Sequence, residues 1–412
     1  MTGGTLRFLN ATQASSQLLP HYLSLNYDDL FKIQHVRNPF PLRPVSYSSL
    51  AAYLECPGCA LDQRNKKRPR EPRHFTTTHQ TGLFSTGEPD PRLLGTLLHT
   101  LVNMLHEANG PLAREEQERL LSDADRLHSF IYHDALTTLR NAGKLKLAMF
   151  FDQLNCHPAL LHRTVVAPLL RYQREIASTD SIIVAGAERF QFKLLSTRKT
   201  FAGHPDWGGY VGIVGEFDQI RLRSTLRGVR VPVIVEFKKG LGRPKNPATR
   251  AFLVPEEQEP VAGTNTPQPD VFHAMQLMIY WLAFQTRWDI QERVASARNA
   301  LIDIPMPVQQ DLDLVLYNLN DSYQYRLLSS DLSETLQALT ECIFHLNWAM
   351  KSGYARQSPE HECMKTQLLE VPIQQVQVGY TAISAEECYS LAREAFSLFK
   401  KTIEWECMPP PE

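Results

Sequence analysis

The sequence predicts an α/β or α+β fold with a central mixed β-sheet that is flanked by helices. Three strand patterns follow one another, at residues 182–194, 210–224 and 229–240. Helical periodicity precedes them, beginning at Pro91. A largely apolar helix at 271–287 follows them and predicts a helix buried in the core. Strands bounded on both sides by helices are typical of a sheet with helical layers.

We predict one main domain at residues 45–412, preceded by an irregular N-terminal arm at 1–44. Within the domain, a helical insertion is expected at 110–180, where several amphipathic segments follow one another. A loop insertion is expected at 241–270, which is rich in Pro, Gly, Asn and Thr. A further strand is predicted at 311–319.

The composition is that of an ordinary globular protein: 412 residues, 43% hydrophobic, 21% charged and a net charge of −1. The neutral balance gives no global attraction to nucleic acid or to anionic membranes, so such a partner needs a local patch. No apolar run reaches the roughly 18 residues of a membrane span, and no secretory signal is evident. The seven cysteines are then expected to be mostly reduced thiols. We predict an intracellular protein, cytoplasmic, or nuclear or organellar in a eukaryote, with no membrane partner.

Two predicted loops carry positive charge in short runs. The first is the stretch DQRNKKRPREPRH at 62–74, and the second is the start of the 241–270 loop. The candidate nucleic-acid contacts are Lys66, Lys67, Arg68, Arg70, Arg243 and Lys245. Lysine and arginine in such loops bind phosphate without reading sequence. A solvated loop with no ligand is the alternative.

The strand VIVEFKKG at 233–240 ends in charge although it begins as a core strand. Because side chains alternate along a strand, Glu236 and Lys238 lie on one face and Phe237 on the other. The preceding strand carries Asp218, and the short connection predicts a hairpin that brings Asp218 beside Glu236. Two carboxylates and a lysine in one volume are ligands and neighbours suited to Mg²⁺ or Mn²⁺. A structural hairpin with coincidental charges is the alternative.

Two further patterns lie on predicted helices. His99 follows Gly95 by four residues on an otherwise apolar helix, and Gln276 and Tyr280 are spaced i, i+4 on the buried helix. Each pattern on its own also fits a histidine or a polar pair with no role in chemistry.

In chain order these patterns are G-x-x-x-H, G-x-x-D, E-x-K and Q-x-x-x-Y. This order resembles the RecB-like branch of the PD-(D/E)XK nuclease superfamily, and the opening VSYSSLAAYLECP is similar to the start of that branch. The resemblance covers about residues 45–365. Members include CRISPR-associated nucleases, nuclease domains of AddAB-type complexes and exonuclease V. The resemblance implies a restriction-endonuclease-like core.

The resemblance also implies roles for single residues. The implied ligands of Mg²⁺ or Mn²⁺ are His99, Asp218, Glu236 and the backbone carbonyl of Phe237. The implied catalytic group is Asp218, Glu236, Lys238, Gln276 and Tyr280. Lys238 would be the catalytic lysine, and the last two residues would position it or contact the DNA backbone.

Members of this branch often carry an iron–sulfur cluster bound by one early cysteine and three late ones. Cys56 fits the first position and Cys363 fits the start of the late group, but no C-x-x-C follows Cys363. An alternative site joins Cys56 and Cys59 with His361 and Cys363, which suits structural zinc or an atypical cluster. Buried cysteines with no metal are the third alternative.

The function expected from these patterns is metal-dependent hydrolysis of phosphodiester bonds in single-stranded DNA or DNA ends. The setting would be repair, recombination or CRISPR adaptation, with a helicase or CRISPR adaptation proteins as partners. The sequence has no P-loop motif and so predicts no ATP motor within this chain. The alternative is a catalytically silent nucleic-acid-binding scaffold in a larger complex.

Overall fold

The structure is a computed structural model. It describes residues 31–35, 44–57, 60, 89–107, 109–179, 181–196, 210–224, 230–239, 269–286, 290, 312–352, 376–378, 381–383 and 385–408.

The first half of the described chain is mostly helical. Its elements are β1 (Phe31–His35), β2 (Val45–Ser46), α1 (Tyr47–Glu55), α2 (Pro91–Met104), α3 (Arg114–Ser122), α4 (Ala124–His133), α5 (Ala135–Asn141), α6 (Leu145–Asn155), α7 (Pro158–Leu161) and α8 (Ala167–Ser178). A π-helical turn, His162–Val166, joins α7 to α8. The ends follow local rules: Ser46 caps α1 by accepting from the Ser49 N–H, and Asp90 with Pro91 opens α2.

The second half contributes most of the sheet and one layer of helices. Its elements are β3 (Ile182–Ser196), β4 (Tyr210–Ser224), β5 (Arg230–Lys238), α9 (Val271–Thr286), β6 (Asp313–Asn318), β7 (Gln324–Ser329), α10 (Leu332–Ser352), β8 (Val376–Val378), β9 (Thr381–Ile383), α11 (Ala385–Lys401) and β10 (Ile403–Met408).

Eight of the described strands form one mixed sheet, in the order β1-β3-β4-β5-β6-β7-β10 with β2 pairing to β4. The pairs β5–β6 and β2–β4 are parallel, and the other described pairs of this sheet are antiparallel. The predicted α/β architecture, a central mixed sheet flanked by helices, is confirmed. It is consistent with a restriction-endonuclease-like core.

Alternation along β5 separates the two hydrophobic cores. Ile234 faces a core that it shares with α1, α9, α10 and α11. Val233, Val235 and Phe237 face the opposite core, which contains α2 and the helices α3 to α8. The sheet therefore lies between two helical layers, and Glu236 and Lys238 take the α9 side by the same alternation.

The buried position of helix α9 explains why its sequence is apolar. Its residues are buried throughout apart from the half-buried His273. A helix that is apolar on all sides needs protein on all sides, and α9 lies between the sheet and the other helices of its layer. The polar side chains that it does carry are therefore held inside the protein.

Two differences from the sequence prediction concern the ends of segments. The arm at 1–44 was expected to be irregular, but Phe31–His35 forms β1 at the edge of the sheet, where its register runs antiparallel to β3. The pattern gave no strong strand signal because an edge strand needs apolar residues on one face only. The strand expected at 311–319 is shorter, at Asp313–Asn318. None of the described helices is long and apolar enough to cross a membrane.

A fully buried ion pair ties the helical layer to the sheet. Arg221 of β4 donates two hydrogen bonds to Glu175 of α8, at 2.7 and 2.9 Å. Gln324 of β7 donates a third to the same carboxylate at 3.0 Å. Both charged side chains are fully removed from solvent. Burying both charges is costly, and removing one partner leaves the other uncompensated.

We expect Glu175→Gln to lower the free energy of unfolding by about 3 kcal/mol or more, because the Arg221 guanidinium stays charged without its counterion. Urea denaturation measures this loss. The matched control is Glu118→Gln, which removes the exposed partner of Arg114 and is expected to change stability by less than about 0.5 kcal/mol. Equal losses in both variants would contradict the structural role of the buried pair.

Candidate active site

Strands β4 and β5 separate at the candidate site. Their pairing ends at Gln219 opposite Val235, whereas β5 stays paired with β6 as far as Lys238. The N–H of Phe237 has lost its strand partner on the β4 side, and the Asp218 Oδ2 atom accepts it instead at 2.9 Å. A carboxylate thus replaces a backbone carbonyl at the point where the ladder opens. This hydrogen bond fixes Asp218 against the end of β5.

Four side chains form a closed ring of hydrogen bonds on the α9 side of β5. Lys238 Nζ donates to Glu236 Oε1 and, at 3.2 Å, to Gln276 Oε1. Gln276 Nε2 donates to the Tyr280 hydroxyl at 2.9 Å, and that hydroxyl donates to Glu236 Oε2 at 2.8 Å. The i, i+4 spacing on α9 matches the i, i+2 spacing on β5, so each helix residue meets one strand residue.

His99 approaches the same place from the other helical layer. Its Nδ1 lies 3.6 Å from Asp218 Oδ2, and its ring meets the Phe237 ring edge-on with centroids 6.2 Å apart. Gly95, one turn earlier on α2, faces the residue after β5: a Cβ there would lie 3.6 Å from the Cβ of Lys239, which is an ordinary contact distance. His99, Asp218, Glu236 and Lys238 therefore converge where β5 ends and β4 separates from it.

The electrostatics of the two acids differ. Burial, and then the charge of nearby Glu236, raise the pKa of Asp218 well above its usual value. Burial alone would also raise the pKa of Glu236, but the adjacent Lys238 ammonium outweighs it and lowers that pKa. Glu236 is thus held as a carboxylate, and Asp218 bears the repulsion between the two acids.

The two basic groups also respond to their surroundings. Burial lowers the pKa of His99, which leaves its imidazole neutral and able to act as a ligand. For Lys238, burial opposes the charge, but the pKa is raised because Glu236 accepts its hydrogen bond. The site therefore contains a neutral imidazole, one ammonium and two acids, of which Glu236 is held ionised.

The sequence analysis missed three features beside this site. Asp270 caps α9 by accepting from the His273 N–H at 3.0 Å, and its charge contributes to the raised pKa of Lys238. His273 lies one turn before Gln276, with its Nδ1 3.2 Å from Asp270. Its spacing of three residues from Gln276 places both on one face of α9, and this spacing is the sequence signal that could have identified His273. Ala187 of β3 has a positive φ of 52° between the paired positions that flank Asp218, and no sequence signal marks it.

The donor atoms present suit a divalent cation in kind and in charge. Carboxylate oxygens and a neutral imidazole are the ligands that such ions take in proteins. A cation would offset both the burial and the Glu236 charge that raise the pKa of Asp218. The side chains are not preset as a cage: among the described residues, no group of three or more His, Cys, Asp or Glu is arranged to hold a metal ion. The two Glu236 oxygens already accept hydrogen bonds, one from Lys238 and the other from Tyr280. The four-ligand set stays a prediction.

The other predicted sites fall mostly outside the described part of the chain. This applies to the basic-loop residues Lys66, Lys67, Arg68, Arg70, Arg243 and Lys245, and to Cys59, His361 and Cys363. Cys56 is described: it is a buried free thiol just after α1. A cysteine-bound metal at this position stays untested.

Comparison with known proteins bears on most of the chain. The family model described as the PD-(D/E)XK nuclease superfamily matches residues 44–365. That range contains α2, β4, β5 and α9, which carry every residue of the candidate site. A search of curated proteins found no match to this sequence.

We expect Asp218→Asn to stabilise the metal-free protein by at least about 1 kcal/mol at pH 8. The pKa of Asp218 is higher in the folded than in the unfolded state. Ionisation of Asp218 therefore lowers stability progressively as pH rises from its pKa in the unfolded state to its pKa in the folded state. Above both pKa values the full loss of stability is present. Thermal unfolding in chelator measures the gain, and added Mn²⁺ is expected to stabilise the native chain more than the variant.

The control for this prediction is Asp152→Asn, which removes an exposed carboxylate on α6 and is expected to leave the unfolding temperature unchanged. Loss of stability in Asp218→Asn, or equal stabilisation of native and variant chains by Mn²⁺, would contradict the charge balance described for the site.

Proposed function

Because the chain belongs to the PD-(D/E)XK nuclease superfamily, we propose that it is a metal-dependent nuclease that hydrolyses phosphodiester bonds in DNA. The observation that carries the proposal is the convergence of His99, Asp218, Glu236 and Lys238 at the opened end of the β4–β5 pair. The sequence resemblance of the G-x-x-D and E-x-K patterns supports the assignment of both acids and the lysine to the site. Single-stranded DNA or DNA ends are the proposed substrate.

The residues proposed to hold Mg²⁺ or Mn²⁺ are His99, Asp218, Glu236 and the Phe237 carbonyl. When bound, a divalent cation supplies stabilisation of phosphate charge and an acidic water for hydrolysis. In the reaction, a water oxygen bonds to phosphorus and the bond to the leaving sugar oxygen breaks. Asp218 is held for this task by the Phe237 N–H, at 2.9 Å.

Lys238 supplies positive charge at the reacting phosphate. Its ammonium is fixed by Glu236 and Gln276, so it is placed before substrate arrives and needs little reorganisation. Tyr280 holds the other Glu236 oxygen. Gln276 and Tyr280 are therefore proposed to position the lysine and the acid rather than to react themselves.

The pathway is proposed at a finer level from the sequence resemblance. The pattern from G-x-x-x-H to Q-x-x-x-Y supports the RecB-like branch and, with it, exonuclease or endonuclease work in repair, recombination or CRISPR adaptation. A helicase or CRISPR adaptation proteins are the partners that this branch suggests. An iron–sulfur cluster or zinc at the cysteines belongs to the same proposal.

We expect the native chain to cleave end-labelled single- or double-stranded DNA with Mg²⁺ or Mn²⁺, and Lys238→Met to lower kcat by about 100-fold or more. The neighbouring Lys239→Met is the matched control, because it removes the same charge from a residue outside the ring, and its kcat is expected to stay within about threefold. Equal losses would contradict the role of Lys238. DNA binding without cleavage by the native chain would favour the silent scaffold.

We expect Tyr280→Phe to lower kcat by about 10-fold with little change in KM, because Glu236 loses one of its two fixed contacts. Steady-state cleavage measures both constants. Tyr132→Phe, which removes a partly exposed hydroxyl on α4, is the control and is expected to match the native chain. A change in KM alone would indicate a contact with DNA and would contradict the positioning role.

A further inference from the structure

Tyr172, on α8 within the helical insertion, contacts three segments that carry or adjoin the candidate site. Its side chain is fully buried. Its hydroxyl lies 2.6 Å from His106 Nε2 and accepts from Gln219 Nε2 at 2.7 Å. Its ring meets the Phe237 ring edge-on with centroids 5.5 Å apart. One side chain thus reaches β4, β5 and the turn that directly follows α2.

Three of the residues that Tyr172 contacts are close in the chain to site residues, and a fourth, Tyr317, meets its ring edge-on with centroids 5.8 Å apart. Gln219 directly follows Asp218, and Phe237 lies between Glu236 and Lys238. His106 follows the end of α2, the helix that carries His99. A displacement of Tyr172 would therefore be passed to all three segments through groups that are buried or half-buried.

The hydroxyl has a defined direction in this chain of hydrogen bonds. Since its oxygen accepts from Gln219, its single proton is left for His106 Nε2, which must then be an unprotonated acceptor. Burial lowers the pKa of His106 to about 3, so the ring is neutral at the pH of any DNA cleavage assay. The direction Gln219 to Tyr172 to His106 is therefore the stable one.

The packing around His106 keeps the groups joined by these hydrogen bonds close together. A Cβ at Gly186 would lie 3.0 Å from the His106 Cβ, so the glycine allows α2 to sit directly on β3. Gly186 is paired with Gln219 across the sheet. The end of α2 is thus seated beside the strand position that donates to Tyr172.

We propose that Tyr172 is a positioning residue of the active site, which holds β4 and β5 in the separation that Asp218 and Phe237 require. The inference rests on the proposed function for its catalytic consequence, but its structural part concerns the metal-free chain. It gives the helical insertion at 110–180 a role: to place one phenol behind the point where β4 and β5 separate.

The test compares Tyr172→Phe with Tyr317→Phe. The first keeps the ring and removes the hydroxyl. The second also removes a hydroxyl from a ring that meets Phe237 edge-on, with centroids 5.7 Å apart. The Tyr317 hydroxyl is near Ser322 and is not part of the hydrogen bonds that join Gln219, Tyr172 and His106. Three quantities are measured: amide hydrogen exchange of 216–222 and 235–239 in chelator, Mn²⁺ affinity by electron paramagnetic resonance, and kcat and KM on end-labelled DNA.

For Tyr172→Phe we expect exchange in both segments to quicken, Mn²⁺ affinity and kcat each to fall about 10-fold, and KM to change little. Tyr317→Phe is expected to match the native chain in all three. Unchanged exchange in Tyr172→Phe, or equal effects of both variants, would overturn the proposal. Gln219→Met removes the donor alone, and the same shifts are expected if Tyr172→Phe does not fold.

The two claims fail in different ways. Exchange is measured without metal, so it judges the positioning role even if the native chain neither binds Mn²⁺ nor cleaves DNA. A native chain that neither binds Mn²⁺ nor cleaves DNA would overturn the proposed function, and with it the catalytic part of this inference. A native chain that cleaves DNA, beside a Tyr172→Phe variant with native exchange and kcat, would overturn the positioning role alone.

Discussion

The site depends on one backbone group, the Phe237 N–H, which the pairing of β4 with β5 leaves without a backbone acceptor. Strand β5 stays bonded to β6 through Lys238, but its pairing with β4 ends at Val235 opposite Gln219, so the Phe237 N–H must find another acceptor. The Asp218 carboxylate provides it. An unpaired buried N–H is costly, and this cost pins an acidic side chain at the strand end. The other site residues are arranged around that position.

The arrangement concentrates charge that the fold must tolerate. Two acidic side chains share one buried volume with a single ammonium, and burial, followed by the charge of Glu236, raises the pKa of Asp218. The ring formed with Gln276 and Tyr280 satisfies both Glu236 oxygens and the Lys238 ammonium. Behind it, the Glu175–Arg221 pair and the Tyr172 chain hold the strands from the other layer. Such sites are commonly less stable than the scaffold around them.

Regular periodicity made much of this predictable. Alternation along β5 placed Glu236 and Lys238 together, the short connection predicted the hairpin with β4, and helical spacing put Gln276 and Tyr280 on one face. These patterns depend on neighbours in the chain, which a single sequence displays. The contact of Tyr172 with Gln219 joins residues that lie far apart in sequence, and each alone reads as an ordinary core residue. The positive φ of Ala187 and the pairing of Phe31–His35 are set by tertiary context, which overrides local preference.

The central claim is that the converged side chains hold a divalent cation. The most direct measurement is a crystal structure of the native protein soaked with Mn²⁺, with anomalous diffraction to locate the ion. The account predicts one strong peak in contact with Asp218 and Glu236, and Glu236 turned away from at least one of its two partners, Lys238 and Tyr280. An empty site, with both of those Glu236 contacts intact at saturating Mn²⁺, would contradict the account.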